Sequence, residues 1–164
     1  MLREYKAEDA KEILKWIKNE REFRMWSADR YGKYPIEPED INKNYSKEDD
    51  FYPMTLIEDE KIMGHLILRN PDGNKDLIRL GFIIVDSSIR GKGYGKKIIL
   101  EAINYAKNEL GAKKINLGVF TNNKSALECY KAVGFKIIEI QKEALDFYDE
   151  KWDCAEMILD KEFK

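Results

Sequence analysis

The sequence predicts an α/β domain built on a mixed β-sheet. Three observations carry that expectation. Two apolar runs, Phe51 to Ile57 and Ile62 to Leu68, are separated by the charged turn Glu58-Asp59-Glu60-Lys61 and read as an antiparallel hairpin. Two later stretches place apolar residues at helical spacing and end at Gly111 and Gly134. Around them the order is strand, helix, strand, helix, strand, strand, which a mixed sheet accommodates.

The elements follow in turn. Met1 to Tyr5 reads as a first strand. Ala7 to Lys18 carries Ile13, Leu14 and Ile17 on one helical face, with Glu8 and Asp9 near the start, where the helix dipole favours anions. Glu20 to Asp50 is aromatic, with Trp26, Tyr31, Tyr34 and Tyr45, and is broken at Pro35 and Pro38. A short helix from Glu39 to Asn44 is expected within it. Pro71-Asp72-Gly73-Asn74 signals a turn. Leu77 to Val85 reads as a strand. Its end, Phe82-Ile83-Ile84-Val85, is apolar at consecutive positions, as in a strand buried on both faces. Ile98, Ile99, Ala102, Ile103, Ala106 and Leu110 form a long helical stripe. Lys114 to Phe120 is a strand. Ala126, Leu127, Tyr130 and Val133 form a shorter helix behind the capping candidates Thr121-Asn122-Asn123. Phe135 to Gln141 and Trp152 to Leu159 are two final strands.

Composition excludes several classes. The chain has 164 residues with 43% apolar and 12% aromatic content, too much for a disordered chain and enough for one domain spanning 1–164. No segment approaches the roughly 18 apolar residues of a membrane span. Met1-Leu2-Arg3-Glu4-Tyr5 shows no apolar signal core. Cys129 and Cys154 lie far apart beside a single histidine, which argues against a disulfide framework or a zinc site. A cytoplasmic protein without bound metal is expected. Basic and acidic residues number 29 and 31, a net charge of −2, and whole-domain nucleic-acid binding needs a positive excess.

Charge is nevertheless uneven. Glu139 to Glu162 holds nine acidic residues against three lysines, whereas Arg90-Gly91-Lys92-Gly93-Tyr94-Gly95-Lys96-Lys97 holds four cations and no anion. The cationic string lies between a buried strand and the start of the long helix. Glycines let the backbone approach a ligand and take positive φ, and the first helical turn offers unpaired N–H groups at the positive dipole end. Together they form a cradle for phosphate oxygens. Two phosphate loops fail here. A Walker A loop would need glycine at Arg90 and Ser or Thr at Lys97. A dinucleotide fingerprint from Gly91 would need glycine at Lys96. The pattern that survives is R-x-x-G-x-G, Arg90, Gly93 and Gly95.

Arg90-Gly91-Lys92-Gly93-Tyr94-Gly95 resembles the acyl-CoA-binding loop of the GNAT N-acetyltransferase superfamily. Asn123-Lys124-Ser125-Ala126-Leu127-Glu128-Cys129-Tyr130-Lys131-Ala132-Val133-Gly134-Phe135 resembles that family's N-x-x-A-x-x-x-Y-x-x-x-G-F segment, in the right order and one helix and one strand later. The specific resemblance covers Leu77 to Phe135. The ending Asp149-Glu150-Lys151-Trp152-Asp153 is weakly similar to ribosomal-protein N-terminal acetyltransferases. The resemblance implies a mostly antiparallel mixed sheet of about six to seven strands flanked by helices. It implies acetyl-CoA as co-substrate, with two strands splayed around its pantetheine arm. Ile83 and Val85 would supply backbone groups, and main-chain N–H groups from Arg90 through Lys96 (Gly91, Lys92, Gly93, Tyr94 and Gly95 between them) would hold the pyrophosphate. Asn123 would bond the cofactor. Tyr130 falls at the general-acid position, where a phenol (pKa about 10) can protonate a departing thiolate (about 8.5). Cys129 reads as core packing.

The general base is not legible. The family often places a Glu on the strand before the loop, but Leu77 to Val85 contains only Arg79 as a charged residue. His65, Asp86 and a water chain to a distant carboxylate remain as candidates. The family's acceptor pocket corresponds to Glu20 to Asp50 and Lys142 to Lys151. The latter sets Glu143, Asp146, Asp149 and Glu150 beside Phe147 and Tyr148, suited to a cationic amine. The leading expectation is an N-acetyltransferase acting on a primary amine of a metabolite, an aminoglycoside-like compound, a polyamine or a protein N-terminus. It expects no nucleic-acid or membrane partner and leaves a homodimer open. Two alternatives are a non-catalytic acyl-CoA-binding module on the same fold and a phosphate-loop nucleotide binder.

Overall fold

The structure is a computed structural model and describes residues 1–45 and 49–160. Residues 46–48, in the aromatic stretch, and Glu162, in the acidic count, lie outside the described residues. Seven strands form one sheet: β1 Leu2–Glu4, β2 Phe51–Glu58, β3 Lys61–Arg69, β4 Leu77–Val85, β5 Lys114–Phe120, β6 Phe135–Phe147 and β7 Glu150–Leu159. Five helices flank it: α1 Asp9–Lys15, α2 Glu20–Ser27, α3 Pro38–Asn44, α4 Tyr94–Asn108 and α5 Lys124–Val133. The strand order is β1-β2-β3-β4-β5-β7-β6. Every pairing is antiparallel except β4 with β5, which α4 connects as a crossover. No helix among the described residues is long and apolar enough to cross a membrane.

The hairpin expected at Glu58 to Lys61 forms. Asp59 and Glu60 both take positive φ, +50° and +65°, as a two-residue turn matched to strand twist requires. The consecutive apolar end of β4 has a specific cause. His65 pairs with Ile84 but Ile67 pairs with Gly81, so β4 carries one extra residue, and Phe82 sits there at φ +48°. The bulge switches the faces. Phe82 and Ile84 enter the cluster under α1–α3 with Ile13, Phe23 and Ile41, while Ile83 and Val85 turn towards the cluster under α4 and α5 with Ile98 and Leu117.

Two expectations change and a third gains detail. The aromatic segment contains a full helix, α2, started by Asn19, whose side chain accepts from the Glu22 N–H (2.9 Å) while Glu22 accepts from the Lys18 N–H (3.0 Å). β6 runs on to Phe147 through a register shift after Gln141, so 142–151 is mostly strand and the turn is only Tyr148 and Asp149. Asp9 stands in the first turn of α1, where the dipole favours it, and is also fully buried. It takes hydrogen bonds from Arg3 (2.8 and 2.9 Å), the Lys6 N–H (2.9 Å) and Thr55 (2.7 Å), which join β1, α1 and β2. Burial alone would raise its carboxyl, and these bonds hold it below the ordinary value instead.

Candidate active site

The glycine string forms the turn into α4. Gly91 and Gly93 take φ +82° and +86°, which a side chain would strain, whereas Gly95 is helical and needs no such freedom. Gly93 is the N-cap. No side chain caps the helix, and its first turn holds no acid. The first intrahelical bond runs from the Lys97 N–H to Gly93 (3.0 Å), so the N–H groups of Tyr94, Gly95 and Lys96 lack helical partners. The charges are less concentrated than the sequence suggests. Lys97 is turned away onto Glu58 (2.5 Å), and Arg90 is tied to Glu22 (3.0 Å) and the Trp16 carbonyl (3.2 Å). Lys92 and Tyr94 lie outside the cleft lining, whereas Lys96 lines it without an ion pair among the described residues.

The parallel pair opens above this turn. β4 and β5 pair from Leu77–Lys114 to Leu80–Leu117 and no further. The Asp86 N–H bonds the Met63 carbonyl, and the Ile84 carbonyl lies against Gly64, so even-numbered positions face β3. By alternation, the backbone groups of Ile83 and Val85 face the gap. A cleft of about 700 Å³ fills that gap, reaching Gly91, Gly93, Gly95 and Lys96 at one end and Tyr130 at the other. Glycine turn, bare helix start and unpaired strand edge fit an extended ligand with a phosphate end and an amide-bearing arm.

Asn123 and Tyr130 both line this cleft. Asn123 starts α5, but its side chain makes no capping bond and is free for a ligand. Tyr130 is 7% exposed. Its hydroxyl has no protein partner among the described residues and is not sealed from the cleft. Burial, helped by Cys129, pushes its phenol well above the ordinary value, so it holds its proton at neutral pH. Cys129 packs against the core and lines the cleft, and burial raises its thiol, so it is not poised as a nucleophile.

A second cavity of about 300 Å³ shares Met25, Trp26, Ile83, Asn123 and Tyr130 with the first and extends under the β6–β7 hairpin. Its most buried charges were not legible as a site: Arg79 on β4 and Glu156 on β7 form a two-pronged ion pair at 2.8 and 3.0 Å. The base candidates fare differently. His65 is fully buried, bonds the Tyr45 hydroxyl (2.7 Å) and lines neither cavity, and burial lowers it to about 3. Asp86 caps the short turn after β4 through Ser88 (2.9 Å). Of the acidic hairpin residues, Glu150 is engaged with Arg21 and Asp146 with Lys151 (3.0 Å), and Glu143 and Asp149 line neither cavity. The Phe147 ring stacks on Trp152 and carries Arg21 over its face. The aromatics of the Glu20 to Asp50 segment mostly pack: Tyr31 and Tyr45 join the core, and Trp26 alone of those named reaches the cavities, bonding the Phe82 carbonyl (2.9 Å).

Fold and cleft together define an α/β protein whose parallel strands part over a glycine-lined helix N-terminus. The chain belongs to the acetyltransferase (GNAT) family, whose model matches residues 12–135. A Schizosaccharomyces pombe protein, UPF0039 protein C11D3.02c, is 33% identical over 84 residues, which are 44% of this chain and 55% of that one. A spermine/spermidine N(1)-acetyltransferase of Bacillus subtilis is 31% identical over 80 residues, 49% of this chain and 50% of that one. The chain thus spans about half the length of these curated relatives. The crystal structure of spermidine N-acetyltransferase from Vibrio cholerae in complex with CoA and spermine superposes with a TM-score of 0.81 over 96% of this chain and 93% of that one. Its 18% identity makes this a likeness of fold.

Proposed function

We propose that residues 1–164 form a single domain that transfers the acetyl group of acetyl-CoA to a primary amine by direct attack. One observation carries the reading: the only parallel strand pair among the described residues parts after Leu80 and Leu117, and the cleft in that gap is lined both by the uncapped start of α4 and by Tyr130. The diphosphate is held by main-chain N–H groups between Arg90 and Lys96, with Lys96 adding charge and Arg90 acting through its backbone. Ile83 and Val85 bond the pantetheine amides. An N–H of the same edge meets the charge that develops on the thioester oxygen, and Asn123 bonds the cofactor arm.

The amine nitrogen forms its bond to the acetyl carbon as the carbon–sulfur bond breaks. The sulfur takes the phenolic proton of Tyr130, and the proton lost by nitrogen restores the phenol. At ordinary values that transfer is uphill by about 1.5 pKa units, or about 2 kcal/mol. Burial of Tyr130 enlarges the gap, so the phenol hydrogen-bonds sulfur as charge builds there and passes its proton only as the proton from nitrogen arrives to replace it. The two free cysteines, Cys129 and Cys154, suit a reducing cytoplasmic setting. Thiol release from acetyl-CoA across an amine panel tests the assignment. Tyr130→Phe is expected to lower kcat about 10²-fold with little change in cofactor affinity. Turnover unchanged in that variant removes Tyr130 from the chemistry.

A further inference from the structure

The cavity under the β6–β7 hairpin carries a charge pattern that bears on the acceptor, and this inference rests on the acetyltransferase reading above. Arg69 and Arg79 stand directly opposite each other on β3 and β4, a like-charge pairing that sheets ordinarily avoid. Both line the cavity, as does Arg30 from the segment after α2. Arg79 is engaged by Glu156 through both nitrogens. Arg69 is half-buried and has no hydrogen bond or ion pair among the described residues. Arg30 lies over the Phe82 ring at 5.7 Å, and its guanidinium likewise makes no hydrogen bond. Burial weakens the hold of Arg69 on its proton, and Arg79 and Arg30 weaken it further, against the opposing pull of Asp72 and Glu156. The remaining lining carboxylate, Asp29, is exposed at the rim.

We propose that the acceptor carries, beside its primary amine, an oxyanion that docks on Arg69 and Arg30, as in an amino acid, and that this chain disfavours polyamines. A half-buried guanidinium without a partner is costly, and a carboxylate or phosphonate satisfies its fork with two charge-assisted bonds. The shared wall at Tyr130 lets one small molecule place its anion on the arginines while its amine faces the cleft. A polyamine would instead bring several positive charges to three guanidiniums, with Glu156 already taken by Arg79. Of the acidic hairpin residues that could have favoured a cation, Glu150 and Asp146 are paired with Arg21 and Lys151, and Glu143 and Asp149 do not line this cavity.

The test uses matched acceptors in the thiol-release assay: L-methionine against 3-(methylthio)propylamine, L-leucine against isoamylamine, 2-aminoethylphosphonate against ethylamine, and spermidine alone. The oxyanion member of at least one pair is expected to exceed its partner, and spermidine, by 10-fold or more in kcat/KM. The first two pairs and the third separate a carboxylate from a phosphonate. Arg69→Gln is expected to raise KM for the preferred acid at least 10-fold with kcat nearly kept. It should also keep or raise Tm, because it removes the charge opposite Arg79. The inference is overturned if the decarboxylated amines or spermidine are preferred, if the preference survives Arg69→Gln, or if acetyl-CoA binds but no oxyanion-bearing amine is acetylated. Absence of any acetyl-CoA binding, read separately as a missing Tm shift, overturns the underlying acetyltransferase reading and this inference with it.

Discussion

Gly118→Ala probes the frame of the cavity proposed to take the acceptor. Gly118 sits on β5 between Arg79 and Glu156, directly paired with the latter, and the ion pair crosses above it. A Cβ there would lie 2.8 Å from Arg79 Nη2, 3.2 Å from Glu156 Oε1 and 3.2 Å from Cys154 Sγ. The backbone itself tolerates alanine, and the nearest atom ends a flexible side chain, so the clash is relieved by moving the guanidinium. The cost is then the fork it leaves. The side chains are only 23% and 17% exposed, so this pair counts for more than a surface bridge. Hydrogen bonds to charged groups contribute about 1.5–3 kcal/mol. Alanine returns about 0.5–1 kcal/mol over glycine within a strand. The net expected loss is about 1–2 kcal/mol, a fall in Tm of about 2–8 °C for a chain of this size. Thermal unfolding measures it, with acceptor KM raised and acetyl-CoA affinity kept. In an Arg79→Met, Glu156→Gln background the same substitution should become neutral or stabilising. A Tm equal to or above that of the parent in the original background would refute the reasoning.

Saturating acetyl-CoA, at about 100 times its Kd, is expected to stabilise the fold by about 2.7 kcal/mol and raise Tm by about 5–11 °C. A shift with ATP or NAD in its place would turn the cradle towards nucleotides. His65, lowered by burial to about 3 from an unfolded value near 6.5, makes the unfolded state the greater proton binder between those values. Stability associated with neutral His65 is therefore fully present above pH 6.5 and falls by at most about 1.4 kcal/mol per unit on acidification towards pH 3. His65→Gln, which can keep a bond to Tyr45, should flatten the acid limb of Tm against pH. An identical limb would show that His65 takes no part.

Where structure was legible in the sequence, the signal was local. The apolar runs of β2 to β5 and the stripe of α4 each announce themselves within a dozen residues, and so does the R-x-x-G-x-G turn. What was missed is either short and charged or long-range. α2 hides because Glu20, Arg21, Glu22 and Arg24 dilute its apolar face, although Asn19 and Glu22 do carry the capping pattern. The second half of β6 hides because the exposed stretch around Lys142, Glu143 (φ +51°) and Ala144 carries a register irregularity, and only beyond it do Leu145 and Phe147 turn inward. Arg79 and Glu156 are 77 residues apart and meet only because β5 lies between β4 and β7. The face switch of β4 follows from one extra residue at Phe82, which only pairing with β3 reveals. The glycine turn and the place of Tyr130 on α5 were readable because each belongs to a short pattern of residue types at fixed spacing, and both line one cleft. The cavity under the β6–β7 hairpin was not, because five separate strands, α5 and the α2 segment build it.

The proton lost by the acceptor leads to a last prediction. Among the described residues, no buried and unengaged base shares a cavity with Tyr130: His65 is sealed, Asp86 caps its own turn, Glu22 is bonded to Arg90 and the Lys18 N–H, Glu156 is forked to Arg79, and Asp29 stands exposed at the rim. Tyr130 and Cys129 both retain their protons through burial. An enzyme with a free carboxylate base can bind an ammonium ion and deprotonate it in place. Its kcat/KM is then flat from the pKa of the base to that of the amine. Without that base, only the neutral amine is productive, and kcat/KM follows its fraction, rising about tenfold per pH unit below an alkylamine pKa near 10.4. The expectation here is the second profile, with a slope near one between pH 7 and 9 for an acceptor whose amine titrates above 9. Glu156→Gln should leave that slope in place. A plateau across that range in the unmodified protein that disappears in Glu156→Gln would instead make Glu156 the base and refute the argument.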